Sequence, residues 1–124
     1  MKNLFHDYQV FKNFDDFFYQ SLTNYSKIEV FTEGDILQVN SYVFVLLQGI
    51  INLNHKRTRK THRQFVDRGI ICTSKLLDHD DPDFSDVKNI FFECNSDNTV
   101  VIKINLIDLE SLLNTMKKRR FLQQ

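Results

Sequence analysis

Short apolar runs separated by glycine turns constrain the fold of this chain more than any other feature. Phe31 to His55 reads FTEGDILQVNSYVFVLLQGIINLNH, with two glycines and three apolar runs. Gly34 lies in a Thr-Glu-Gly-Asp turn, where glycine can adopt positive φ without a Cβ clash. Gly49 follows the apolar run 42–47, where we expect a bulge or a close backbone approach. This pattern predicts a series of short, sharply turned β-strands.

The period of two continues on both sides of that stretch. From Lys27 onward, Ile28 and Val30 share one face of a predicted strand. Ser96-Asp97-Asn98 predicts a hairpin turn, because Asp and Asn tolerate left-handed backbone angles. The other predicted strands are 36–39, 42–47, 50–53, 63–66, 70–73, 90–94 and 99–104.

A helix is predicted before the strands, over residues 13–23. Asn13 is its expected N-cap, and Asp15 and Asp16 would lie in the first turn, beside the positive end of the helix dipole. Apolar residues recur at helical spacing and form its expected core face: Phe14, Phe17, Phe18 and Leu22.

A second helix is predicted after the strands, over residues 105–120. Asn105 is its expected N-cap, and Asp108 is the capping-box partner three residues on. The basic run Lys117 to Arg120 suits the negative end of the helix dipole. An apolar stripe follows the helix: Leu106, Leu109, Leu112, Leu113 and Met116.

Composition places these elements in one domain, residues 1–124. The chain has 42% hydrophobic residues, and its 16 Lys and Arg balance 16 Asp and Glu, so it has no general attraction to nucleic acid or anionic membrane. Cys72 and Cys94 lack CxxC spacing, which gives no support to a zinc knuckle or a disulfide framework. Without an apolar run of about 20 residues or a signal peptide, we expect a cytoplasmic protein with no membrane partner.

Three short motifs occur in a characteristic order: Glu33-Gly34-Asp35, then VFVLLQG over 43–49, then Gly69 in FVDRGIICTSKLL. The segment VVIKINLIDLESLL, 100–113, follows them. In this order the chain resembles the cyclic-nucleotide-binding-like β-roll domain of the Crp/Fnr transcription regulator superfamily, with the PrfA-like branch nearest. The resemblance implies a mainly β fold with flanking helices: a double-stranded β-helix, or jelly roll, over 27–104 and a C-terminal dimerisation helix.

The phosphate-binding cassette of that family is expected to be degenerate here. Family members that bind cyclic nucleotide carry a Gly-Glu pair and an Arg after the glycine that Gly69 matches. Thr73-Ser74 stands in place of Gly-Glu, no Arg occurs from Ile70 to Lys118, and five Asp lie within 78–86. We therefore do not expect cAMP to bind in the usual way. The candidate pocket for another small ligand, of unknown identity, comprises Gly69, Thr73, Ser74 and Lys75.

The resemblance also implies how the domain would act. Crp/Fnr regulators continue from the dimerisation helix into a winged helix-turn-helix of about 70 residues. This chain stops at Gln124, so direct DNA binding by that route is not expected. We expect a homodimer, or a heterodimer with a related regulator. The expected contact residues are Leu109, Leu112, Leu113 and Met116.

The expected function is regulatory and not enzymatic, with no cofactor and no metal. Two alternatives stay open. A nucleic-acid-binding module would use the basic hairpin 56–63, with candidate contacts at Lys56, Arg57, Arg59 and Lys60. A metal-dependent cupin-like enzyme would share the β pattern, although it requires clustered His and carboxylate ligands, and the four histidines are scattered: His6, His55, His62 and His79.

Overall fold

The structure is a computed structural model that describes residues 15–71 and 89–123. Two helices flank seven strands in this part of the chain. The helices are α1 (Asp16–Asn24) and α2 (Leu106–Gln123), and the strands are β1 (Ser26–Phe31), β2 (Tyr42–Gln48), β3 (Ile50–His55), β4 (Thr61–Val66), β5 (Gly69–Ile71), β6 (Ile90–Cys94) and β7 (Thr99–Asn105).

The strands form two antiparallel sheets. Sheet A has the order β1-β7-β2-β5, and sheet B has the order β4-β3-β6. The mainly β class with flanking helices is therefore confirmed, and most predicted strands lie within one or two residues of their expected bounds. The last two residues of the predicted strand 70–73 lie outside the described residues.

Sheet A separates two apolar layers, and β2 contributes to both. Phe44 and Leu46 pack in the cluster between the sheets, whereas Val43 and Val45 pack in the cluster under the helices. All four side chains are buried. A continuous apolar run is thus the signature of a strand covered on both faces, and each such side chain contributes about 1.5–3 kcal/mol on burial.

The two helices cover the outer face of sheet A. Leu109 and Leu113 of α2 pack with Phe18 and Leu22 of α1 against that face. Helix α2 begins as predicted, because the Asn105 side chain accepts a hydrogen bond from the backbone N–H of Asp108 at 3.1 Å. No helix in the described part of the chain is long and apolar enough to span a membrane.

The start of α1 corrects the sequence prediction. Asp15 is the N-cap, and its carboxylate accepts a hydrogen bond from the N–H of Phe18 at 3.0 Å; the predicted cap, Asn13, lies outside the described residues, as does Phe14. The buried face contains Tyr19 in addition to Phe18 and Leu22, whereas Phe17 is 53% exposed. Successive helical residues differ by about 100°, so the residue before Phe18 turns away from the sheet.

Residues 36–39 do not form the predicted strand. Ile36 makes one isolated bridge to Glu93, and the N–H of Val39 bonds to the carbonyl of Leu37 two residues back. Such a tight turn interrupts a ladder. Leu37 and Val39 nevertheless fill the core between the sheets, so the apolar alternation predicts burial here without a paired strand.

Gly49 confirms the predicted close approach. Its φ is +109°, and a Cβ at this position would lie 2.9 Å from the Thr99 Cα and 2.9 Å from the Ser96 Oγ. The register between β2 and β7 shifts between Leu46 and Gln48, just before this glycine. Gly49 therefore serves the geometry of the bulge and the packing of the β6–β7 hairpin.

Candidate functional site

A cleft of about 280 Å³ opens at one end of sheet A, where α1 ends and α2 begins. We call it the helix-root cleft, and its lining is polar and aromatic: Asn24, Tyr25, Lys27, Tyr42, Lys103, Asn105 and Asp108. Its volume is near the lower end of the range of small-molecule sites, roughly 300–1,000 Å³. The end of α1, the start of α2 and three strands of sheet A all contribute to it.

Two lysines define the electrostatics of the helix-root cleft. Lys27 of β1 lies directly opposite Lys103 of β7, and like charges in this arrangement repel. Lys103 is satisfied within the chain, because its Nζ lies 3.3 Å from the Glu29 carboxylate and 4.0 Å from the centroid of the Tyr42 ring. Lys27 is exposed and has no ion pair within the described residues. Of the two lysines, Lys27 is therefore the one whose charge no described carboxylate partners.

The opposite wall is the first turn of α2. The Asn105 side-chain oxygen caps that turn, and the side-chain NH₂ group of the same amide is a hydrogen-bond donor. Asp108 adds one carboxylate to the lining, and Tyr25 is 43% exposed at the rim. The residues that line the helix-root cleft do not include a Ser, Thr or Cys nucleophile beside a base. Its chemistry suits binding of a small polar molecule, with an acidic group at Lys27.

The predicted ligand pocket lies largely outside the described residues. Gly69 is described, and Thr73, Ser74 and Lys75 are not. A Cβ on Gly69 would lie 2.8 Å from Cδ1 of the Phe65 ring, and its φ is +154°. Packing against Phe65 accounts for glycine at this position, whatever the neighbouring segment binds.

The space between the sheets is apolar in the described part of the chain. Large side chains that are fully buried fill it, among them Phe44, Phe92 and Leu53. The buried polar residues among those described are Asn52, Asn54 and Thr99, none of which is cationic. Within residues 15–71 and 89–123, no buried cationic side chain is therefore present inside the roll to pair with a phosphate.

The four predicted dimer residues are not on the surface. Leu109, Leu112, Leu113 and Met116 are between 0% and 7% exposed and pack against sheet A and α1. The apolar stripe of α2 covers the protein's own sheet, so in this arrangement these side chains are not accessible to a second subunit. Their role as dimer contacts stays a prediction, as does dimerisation itself, and it would require α2 to leave this position on the sheet.

The basic hairpin tip is exposed, as the alternative of nucleic-acid binding requires. Lys56, Arg57, Arg59 and Lys60 lie in the β3–β4 connection, and all four are exposed. The backbone ties the tip to the roll, because the N–H of Lys56 bonds to the carbonyl of Asn89 at 2.9 Å. The acidic run 78–86 lies outside the described residues.

Metal and thiol chemistry find little support in the described residues. The rings of His55 and His62 lie 5.1 Å apart, but residues 15–71 and 89–123 contain no group of three His, Cys, Asp or Glu placed to hold a metal ion. His6 and His79 lie outside that part. Burial, with the negative charges of Asp35 and Glu93, raises the pKa of the Cys94 thiol to about 11, which keeps the thiol protonated and unreactive at neutral pH.

Sequence reasoning did not identify the helix-root cleft. Its only local signal is a lysine within each of two apolar strands, Lys27 in SKIEV and Lys103 in VVIKIN. These residues are 76 positions apart in the sequence, and only the pairing of β1 with β7 brings them together. That pairing joins the first and last of the described strands, which local periodicity cannot reveal.

No protein-family model matches this chain, and no curated protein matches it. Solved structures do. The sensor domain of the transcriptional regulator DNR from Pseudomonas aeruginosa is similar with a TM-score of 0.70 and 12% identity, over 93% of this chain and 81% of that chain.

Two kinase regulatory subunits are similar as well. That of a cAMP-independent protein kinase A from Trypanosoma brucei, as a mutant bound to cAMP in the A site, has a TM-score of 0.66 and 14% identity over 99% of this chain. PfPKA-R (141–441), cAMP-bound, has a TM-score of 0.65 and 10% identity over 94% of this chain. This chain spans 46% and 40% of those two chains. The protein thus has the cyclic-nucleotide-binding-like β-roll fold.

Proposed function

We propose that this protein is a degenerate cyclic-nucleotide-binding-like regulatory domain of Crp/Fnr type, in the PrfA-like branch, that acts in transcription regulation. The observation that carries the proposal is the similarity to the DNR sensor domain, which extends over 93% of this chain and 81% of that domain. Regulation would follow from ligand sensing or dimerisation in the cytoplasm, and not from catalysis.

We do not expect cAMP to bind in the usual way, for two reasons. The sequence after Gly69 offers Thr73-Ser74 and a run of aspartates where a phosphate requires backbone amides and an arginine. In addition, apolar side chains fill the described part of the space between the sheets. A ligand with a cyclic phosphate would have to be desolvated without a compensating cation.

The helix-root cleft is the ligand site that we favour. Lys27 lies on the sheet side and Asn105 on the helix side, so a ligand that contacts both residues would link β1 to the first turn of α2. Hydrogen bonds to charged groups contribute about 1.5–3 kcal/mol. Such a bond would stabilise one position of α2 on the sheet, which gives a physical route from binding to regulation.

Titration of ¹⁵N-labelled protein tests both parts of the proposal. We expect no saturable shifts with cAMP or cGMP at millimolar concentration. Inorganic phosphate and a panel of small carboxylic and amino acids are the probes for the helix-root cleft, and an active probe should shift Lys27, Lys103 and Asn105 together. Lys27→Gln should abolish the response. Lys118→Gln, at an exposed position of α2, should not.

Saturable cAMP binding with shifts around Gly69 would overturn the exclusion of cyclic nucleotide. A panel in which no probe shifts the three cleft residues would remove the helix-root cleft as a ligand site. The fold-based regulatory proposal would then have to rest on dimerisation alone.

Nucleic-acid binding is the second candidate, favoured by four exposed cations in one connection. It predicts affinity for DNA or RNA that falls steeply with salt and is lost on neutralising Arg57, Arg59 and Lys60 together. Fluorescence anisotropy with a labelled duplex at low salt measures this directly. Absence of binding there would dispose of this candidate.

A further inference from the structure

Strand β1 forms an edge of sheet A. It pairs with β7 on one side, and no strand of the described part of the chain pairs with its other side. Ile28 is 65% exposed and Val30 is 58% exposed, although both lie on the face where the opposite residue of β7, Ile102, is buried under the helices. An exposed apolar edge is a template for pairing with another strand.

The charges of β1 make this edge complementary to itself. Lys27 and Glu29 flank Ile28 and share the other face of the strand. Charges on an edge ordinarily discourage pairing. Here their signs are opposite and symmetric about one residue, so the effect on an antiparallel partner depends on register.

A two-fold axis perpendicular to the sheet keeps each face continuous across two copies, so directly opposite residues must come from the same face. The axis then lies between one residue of β1 and the same residue of the second copy, so each register is centred on a residue. Two registers keep five of the six residues of β1 paired, those centred on Ile28 and on Glu29. The choice between them is electrostatic.

The register centred on Glu29 places that carboxylate against its own copy, which is unfavourable. The register centred on Ile28 places Lys27 opposite Glu29 of the second copy, twice, and brings the two Ile28 side chains together. It also gives Lys27 an acidic neighbour, whereas in the monomer its opposite residue is Lys103.

We propose that β1 is a homodimer interface, paired antiparallel with β1 of a second copy about Ile28, so that sheet A continues through both subunits. The inference goes beyond the proposed function, because it requires no ligand. It leaves Leu109, Leu112, Leu113 and Met116 in the core of each subunit. A single strand edge buries little surface, so the dimer is weak and depends on protein concentration.

Charge reversal tests the register. Lys27→Glu and Glu29→Lys each place like charges opposite at both ends of the interface, and each should raise the dimer dissociation constant by about tenfold or more. An equimolar mixture of the two variants is complementary again and should form a heterodimer. The double variant K27E/E29K should dimerise like the wild type. Sedimentation equilibrium over a concentration series measures all four samples.

A second interface variant and a control variant complete the test. Ile28→Thr changes a side chain that is largely exposed, so it leaves the fold intact and should weaken the dimer. Lys118→Glu, on α2, is the control that should not. A monomeric wild type at the highest concentration overturns the inference, and so does a dimer that the single reversals leave unchanged. The sedimentation samples contain no ligand, so a failed ligand titration would leave these results unaffected.

Discussion

Strands β1 and β2 belong to the same sheet and both carry apolar residues, yet they differ in what covers them. In β2, Val43 to Leu46 are buried on both faces. In β1, Ile28 and Val30 are exposed on one face, and Lys27 and Glu29 occupy the other. The difference shows that apolar periodicity predicts a strand, whereas its position in the sheet decides burial.

Truncation of a large side chain should separate the two strands most strongly. Phe44→Ala removes a ring that is 2% exposed between the sheets, and we expect a loss of about 3–5 kcal/mol in the free energy of unfolding. Val30→Ala on β1 should change it by no more than about 0.5 kcal/mol. Urea unfolding followed by circular dichroism, at a protein concentration low enough to keep monomers, measures both. Equal costs would contradict the difference in burial.

The glycines that follow the two strands provide the next contrast. Gly49, after β2, has φ +109° and backbone of Thr99 2.9 Å from any added Cβ, whereas Gly34, after β1, has φ +96° and open space around it. Gly49→Ala combines backbone strain with a clash and should cost about 2–4 kcal/mol. Gly34→Ala carries the strain alone and should cost about 1–2 kcal/mol.

Denaturant unfolding of the two alanine variants beside the wild type provides the measurement. A Gly34→Ala variant as unstable as Gly49→Ala would show that the turn after β1 is as constrained as the bulge after β2. That result would place backbone conformation, and not the neighbouring hairpin, as the main requirement at Gly49.

Much of the roll was predictable from the sequence because its signals are local. The apolar run of β2, the turn at Asn98, the cap at Asn105 and the bulge at Gly49 each depend on a few adjacent residues. Asn98 has φ +58°, the left-handed conformation that Asp and Asn tolerate. Such features follow from steric and hydrogen-bonding rules that operate within one turn or strand.

The remaining features depend on contacts that are distant in sequence. The apolar stripe of α2 predicts one buried face but cannot distinguish the protein's own sheet from a second subunit, and the structure places it on the sheet. The helix-root cleft requires the β1–β7 pairing. In the same way, the exposure of Ile28 could not be predicted, because alternation in an edge strand does not show how far the helices extend.

Cys94 provides a pH-dependent test of the core beside the turn after β1. Burial, together with the charges of Asp35 and Glu93, raises its pKa from 9.0 to about 11. Above pH 9 the unfolded chain loses the thiol proton while the folded chain keeps it, so the folded state loses stability as the pH rises toward 11. The difference in free energy of unfolding between the wild type and Cys94→Ala should therefore be constant below pH 9. Above pH 9, the wild type should lose stability relative to the variant.

Paired urea titrations at several pH values isolate this effect, because all other titrating groups are common to both proteins. A difference that does not vary between pH 8 and the highest usable pH would show that the Cys94 thiol is accessible to water in the native state. Thiol labelling of the native Cys72→Ala variant provides an independent reading: Cys94, then the sole thiol, should react only on unfolding.

Removal of the charge on Lys27 of β1 should have the smallest effect on the stability of the monomer. Lys27 is exposed and lies opposite Lys103, whose charge Glu29 already partners. Lys27→Gln therefore relieves a repulsion, and the monomer should become slightly more stable at low salt, with the gain vanishing as salt screens the pair. Lys118→Gln is the matched control, since it removes the same charge from an exposed position of α2. Thermal unfolding at low and high ionic strength measures the two variants. A destabilised Lys27→Gln variant would show that Lys27 makes a favourable contact within the monomer, so that it would gain less from an ion pair with a second copy.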